Sequence, residues 1–206
     1  MWGPKSSSWQ TAWCASRERL KSSSAIPSSR KPSSFSGFST MSDDASLTMS
    51  HATITQRLAD MSIVLGGYRE PASRYKPAIR VGNLLYFSGQ LSAMEYDGVV
   101  AGITGQLGSE IGVDAGYEAA RQCAIGLLNR AQTMLGDLSR IRQIARLTGY
   151  INSGPGFTDQ HLVLNGCSDV LIAALGEAGT HTRLAIGVVG LSFNTSVEVD
   201  CIVEVD

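Results

Sequence analysis

The chain has 206 residues, 43% hydrophobic and 17% charged, with a formal net charge of −1. That supplies one ordinary core, and no run of about 18 apolar residues occurs, so no membrane-spanning helix is expected. Four cysteines (Cys14, Cys123, Cys167 and Cys201) form no CxxC pair, which argues against a disulfide framework or a zinc site.

Composition divides the chain. The first 40 residues hold 13 serines and six basic side chains (Lys5, Arg17, Arg19, Lys21, Arg30, Lys31) against the single acid Glu18, about +5. Met41–Asp206 carries the balance, about −6, with 11 Lys and Arg against 17 Asp and Glu. We therefore expect a Ser-rich basic extension over 1–48 and one folded domain over 49–206. A basic, acid-poor, Ser-rich leader fits an organellar transit peptide, although Trp9, Trp13 and Leu20 make a poor amphipathic stripe. A disordered tail, or translation from Met41 or Met49, fits the same composition. The expected location is mitochondrial in the first case and cytoplasmic otherwise.

The folded part starts with a helix over Ser50–Leu65, carrying Ile54, Leu58 and Met61 and stopped by Gly66-Gly67. After a polar loop, Ala78–Val81 and Leu84–Leu91 read as a hairpin about Gly82-Asn83. A short strand follows at Val99–Ile103. The first long helix is expected from an Asp114 cap, with Tyr117, Ala120, Ala124, Leu127, Leu128, Ala131 and Leu135 on one face and Gly136 as its stop. Ile141–Asn152 is a strand, and a second long helix runs from near Thr158 to Leu175. The strands Arg183–Val189 and Ser196–Glu204 close the chain as a hairpin. Val197, Val199, Cys201 and Val203 alternate there with Glu198, Asp200 and Glu204. The fold class is therefore α+β, a sheet with two long helices packed on one face. Its other face also carries Val, Ile and Leu, which self-association would bury. Cys123, Cys167 and Cys201 fall on apolar faces and read as reduced core residues.

Much chemistry is excluded. His51, His161 and His181 stand in no metal-ligand spacing, so no metal is expected; no GxSxG elbow, Rossmann fingerprint or P-loop occurs, so no cofactor is expected. Arg183, opening a strand, could hold a carboxylate bidentately. Glu198, opposite it in the expected hairpin, could hold a water. A surface ion pair explains the same two residues.

Four blocks add weight. In order, SRYKPAIRVGNLLYFSGQL (Ser73–Leu91), GYEAARQCAIGLL (Gly116–Leu128), GDLSRIRQIARLTGYINSGPGFTDQ (Gly136–Gln160) and HTRLAIGVVGLSFNTSVEVDCIVEV (His181–Val205) resemble the Rid/YjgF family. That family is also known as L-PSP endoribonuclease-like. The resemblance implies a chorismate-mutase-like fold (bacillus type), a homotrimer with clefts between subunits, and hydrolytic deamination of reactive 2-imino or 2-enamino acids to 2-keto acids and ammonia. It implies that Arg183 binds the substrate carboxylate and that Glu198 positions water. Tyr75, Ser88, Gly89, Asn165 and Ala185 match its substrate-binding positions. Each has a plainer reading: Tyr75 as a boundary tyrosine, Ser88-Gly89 as a strand bulge, Asn165 as an exposed helix residue. The chain departs from deaminating relatives where Leu184-Ala185 replaces a small polar residue and Cys, and where Leu191-Ser192 replaces Leu-Pro, which marks a divergent branch. The partner implied is a small 2-imino or 2-keto acid. Two other readings stay open. One is a non-catalytic trimer binding a small carboxylate through Arg183. The other is an L-PSP-type endoribonuclease, with Arg140, Arg142 and Arg146 on one strand face as its best support; the acidic balance of Met41–Asp206 argues against nucleic acid.

Overall fold

The computed structural model describes residues 49–66, 74–96 and 99–206. The expected extension 1–48 and most of the loop before Tyr75 lie outside the described residues. Helix α1, His51–Asp60, is capped by Ser50, whose hydroxyl accepts from the Thr53 amide, and it buries Ile54 and Leu58. It stops short of the expected Leu65 because Ser62 turns into a left-handed conformation at φ 59°, and Ile63 enters the core just beyond it.

Strands β1 (Ala78–Val81) and β2 (Leu84–Leu91) form the expected hairpin, Val81 opposite Leu84. Strand β3 (Ala93–Tyr96), which the sequence pattern did not announce, pairs with β4 (Val99–Gly102) as a separate ribbon. Helix α2, Val113–Leu135, begins after Gly112, so Asp114 lies inside its first turn instead of capping it. A carboxylate there still faces the positive end of the helix dipole. Its buried face carries Ala119, Ala120, Cys123, Ala124, Leu127, Leu128 and Ala131, and Gly136 ends it in the left-handed conformation. Strand β5 (Ile141–Asn152) agrees with expectation, as does helix α3 (Gln160–Leu175) within two residues at its start. With the turn that follows, Gln160–Gly179 is long and apolar enough by composition to cross a membrane, and more than half of its most apolar stretch is buried in this fold. Packing on both sides accounts for that composition.

The order of the main sheet is β1-β2-β7-β5-β6, with β6 as Thr182–Val188 and β7 as Val197–Val205. This corrects the expected C-terminal hairpin: β6 and β7 do not pair. Strand β5 separates them, parallel to β6 and antiparallel to β7. Two physical demands override proximity in sequence. A strand, a helix and a strand in succession make a crossover, which sets β6 parallel beside β5. Strand β7 buries Val197, Val199, Cys201, Val203 and Val205 in turn, and only a central position covers so long a face. Helices α2 and α3 lie on that face. The other face presents Ile79, Val81, Tyr86 and Leu184, all exposed in the single chain. Cys123, Cys167 and Cys201 are free and buried, as expected.

Candidate functional site

Strand register decides what the expected site residues can do together. Arg183 pairs with Leu147 across β5–β6, so the two share a face, and Leu147 is fully buried under the helices. Glu198 pairs with Tyr150 across β5–β7. Residues 147 and 150 are three apart in an unbroken stretch of ladder, so their side chains point to opposite faces. Arg183 therefore lies on the helix face of an edge strand, and Glu198 on the open face of a central one. The single chain thus holds the two apart, and the expected apposition of Arg183 and Glu198 within a hairpin is corrected accordingly.

The Arg183 half rests on α3. Nη1 donates to Ser168 Oγ at 3.0 Å and Nη2 to the His161 carbonyl at 3.3 Å. His161, Asn165 and Ser168 recur at helical spacing, so half-buried Asn165 belongs to the stripe that Arg183 crosses. Among the described residues Arg183 has no carboxylate partner. Ala185, two residues on and on the same face, packs against the core edge. Beyond it that face opens into a groove of about 480 Å³, lined among others by Gln106, Ser153, Phe157, Gln160 and Gly187.

The Glu198 half is built around a bulge. The β2–β7 register slips between Phe87 and Gln90, leaving Ser88 and Gly89 out of the ladder. A Cβ on Gly89 would fall inside the Glu198 carboxylate, so glycine there lets the carboxylate keep its place against the backbone. The Ser88 hydroxyl donates to Lys76 O at 2.8 Å and its amide to Pro77 O at 2.9 Å. These bonds tie down the bend that carries exposed Tyr75. Underneath, the guanidinium of Arg130 on α2, only 3% exposed, donates to Pro77 O (3.0 Å), Ser88 O (2.7 Å) and Gln90 Oε1 (3.1 Å). Burial raises the Glu198 carboxyl above the usual carboxylate range, and the neighbouring Asp200 charge adds to it. Tyr150 donates to Asp200 at 3.1 Å on the same face.

Gly89 and Glu198 thus meet at the bulge with Ser88 beside them. Exposed Tyr75 lies just before the segment that Ser88 tethers, and Arg183, Asn165 and Ala185 lie on the helix side of the sheet. Sequence reasoning missed Arg130, Ser168 and His181. Arg130 had a signal: a cation beside Ala131 and Leu127 on the apolar stripe of α2. The basic cluster is also corrected. Arg140 precedes β5 in a short 3-10 turn, and with Arg142 it pairs to Asp206, at 2.8 and 3.5 Å.

A five-stranded mixed sheet with two long helices on one face and a bulged central pair defines an α+β protein of the chorismate-mutase-like class. Residues 55–205 match the model of the YjgF/chorismate mutase-like family, whose description carries an endoribonuclease label; the chain belongs to this Rid/YjgF family. It is 38% identical over 154 residues to Protein TCP17 of Trypanosoma cruzi, covering 74% of this chain and 94% of that one. Among solved structures, the Agrobacterium tumefaciens protein Atu1372, of unknown function, is 43% identical, with a TM-score of 0.67 over 76% of this chain and 96% of that one. A Shewanella oneidensis protein labelled an endoribonuclease is 31% identical, with a TM-score of 0.68 over 74% of this chain and 99% of that one.

Proposed function

We propose that the protein is a hydrolytic deaminase of reactive 2-imino and 2-enamino acids, working as a homotrimer whose sites lie between subunits. The observation that carries this reading is the state of Arg183: its terminal nitrogens are held by a hydroxyl and a carbonyl, both neutral, and no carboxylate of the described residues meets it. A cation held in place without an acid is ready for an anionic ligand. Glu198 is its complement, a half-buried carboxylate without a cation partner among the described residues. A second copy could bring its Glu198 half against the Arg183 half of the first, with the exposed apolar face buried in the process.

In this reading Arg183 binds the substrate carboxylate, and the groove past Ala185 takes the rest of the molecule. Glu198 accepts a proton from water as the water oxygen bonds to the imine carbon, and the C=N π electrons move to nitrogen. The proton is passed on to that nitrogen to give a carbinolamine. Its hydroxyl proton is then relayed through Glu198 to the amino nitrogen as the C=O bond forms, the C–N bond breaks, and ammonia leaves with a 2-keto acid behind. A carboxyl held above its usual range by burial serves this relay better than an ordinary one, because it is the stronger base toward the attacking water.

The test uses the full chain. An amino-acid oxidase generates the imine and semicarbazide traps what survives. The wild type should suppress trapping and Arg183→Ala should not. Equal trapping with wild type, variant and buffer across several amino acids would overturn the deaminase reading. Pyruvate binding that persists in Glu198→Ala without hydrolysis in any form would favour a non-catalytic carboxylate binder. The endoribonuclease label of relatives gives an RNA reading, against which stand the acidic balance of Met41–Asp206 and the pairing of Arg140 and Arg142 with Asp206. RNA binding that falls steeply with salt would support it.

A further inference from the structure

Arg183 does not reach its position alone. The His181 ring lies two residues before it on the approach to β6, with Nδ1 2.7 Å from the Gly179 carbonyl. A carbonyl only accepts, so Nδ1 carries the proton, and in the neutral ring Nε2 is left as an acceptor. Ser168 Oγ is 2.9 Å from that Nε2 and therefore donates to it. With its proton committed there, the Ser168 oxygen turns its lone pairs to Arg183 Nη1, at 3.0 Å. The chain of bonds runs in one direction, from Arg183 to Ser168 to His181 to Gly179. Ser168 is only 7% exposed, so water is poorly placed to substitute for either partner.

We infer that Ser168 and His181 are positioning residues that orient Arg183 for carboxylate binding, through a directional hydrogen-bond chain anchored on the Gly179 carbonyl. The inference rests on the reading of Arg183 as the carboxylate clamp. Its physical content is preorganisation: a long side chain already fixed in its binding geometry loses little rotamer freedom when the ligand arrives. Without the chain, Arg183 would have to be ordered by the ligand itself. The loss should therefore appear in binding and in KM, with kcat little changed, since neither residue touches the reacting carbon.

The experiment measures pyruvate and 2-oxobutyrate binding to the full chain by calorimetry, alongside KM and kcat for imine hydrolysis. Ser168→Ala and His181→Leu should weaken binding about tenfold and raise KM in parallel. His181→Gln, whose amide can both donate to Gly179 O and accept from Ser168, should recover most of the affinity. Arg183→Ala should abolish binding. If Ser168→Ala and His181→Leu bind like the wild type while Arg183→Ala does not, the positioning role is wrong and the clamp stands. A fall in kcat at unchanged KM would also overturn it. If Arg183→Ala binds as well as the wild type, or the wild type binds neither acid, the clamp reading fails and the inference fails with it.

Discussion

At Gly89 the backbone runs so close beneath Glu198 that a methyl group would displace the carboxylate. The end of a glutamate side chain moves at little cost, so Gly89→Ala should change stability by less than about 1 kcal/mol. In the proposed reaction it should reduce imine hydrolysis by about 100-fold, because the proton-relaying carboxylate is moved from its place. Thermal melts and the trapping assay measure the two effects separately; a melt that collapses together with activity would mean the glycine serves the fold alone. Glu198 makes a second prediction. Its folded-state pKa is raised by burial and by Asp200, so the native state holds this proton more tightly than the unfolded chain does. The associated stability is fully present below the ordinary carboxylate value and is lost as pH rises through the raised one. Glu198→Gln should thus gain stability over the wild type at pH 7 and lose that advantage near pH 4, read by urea unfolding at both. The acid limb of kcat/KM, which reports the free enzyme, should lie above the ordinary glutamate value of about 4.3.

Between elements, two contacts set the positions of these residues. Gly166 on α3 lies against the Tyr117 carbonyl of α2, where an added Cβ would fall on backbone. Backbone cannot swing aside, and Gly166→Ala should cost about 2 kcal/mol in chemical denaturation despite the higher helix propensity of alanine. Arg130 links α2 to the bulge of β2. Arg130→Met keeps much of the volume but strands the Pro77 and Ser88 carbonyls and the Gln90 amide oxygen. It should destabilise by about 3 kcal/mol and accelerate amide exchange over residues 86–91 more than over α3. Much at this scale was legible beforehand: the β1–β2 hairpin, both long helices and β5 follow from periodicity and glycine stops. Strand pairing was not. Local alternation in β6 and β7 reports a half-buried face, and it is blind to which neighbour completes the ladder. The strand–helix–strand order across β5, α3 and β6 did carry the answer, since parallel partners need such a crossover. Ribbon β3 was missed because Ala93–Tyr96 is short and lies immediately after β2 with only Ser92 between them. Of the site, Arg183, Glu198 and the Ser88-Gly89 bulge could be found from the family's blocks. Ser168 and His181 could not, because their link is a contact between a helix and a loop that no spacing announces.

For the whole molecule, the consequence of the sheet order is that no single chain brings Arg183 and Glu198 onto one small substrate. They sit on opposite faces with β5 between their strands, a lateral gap of about 10 Å before the faces are considered. The apolar residues Ile79, Val81, Tyr86 and Leu184 on the open face give that arrangement a reason to associate. The account therefore stands on a site shared between copies, and mixing tests it most directly. Full-length Arg183→Ala and Glu198→Ala, each inactive alone, are co-refolded in equal amounts and assayed for imine hydrolysis. In a closed ring of shared sites about a quarter of them join an intact Arg183 to an intact Glu198, whatever the ring size, so about a quarter of wild-type activity should return. Activity that stays at the level of the two single variants, with hetero-oligomers demonstrated by mass spectrometry, would contradict the account.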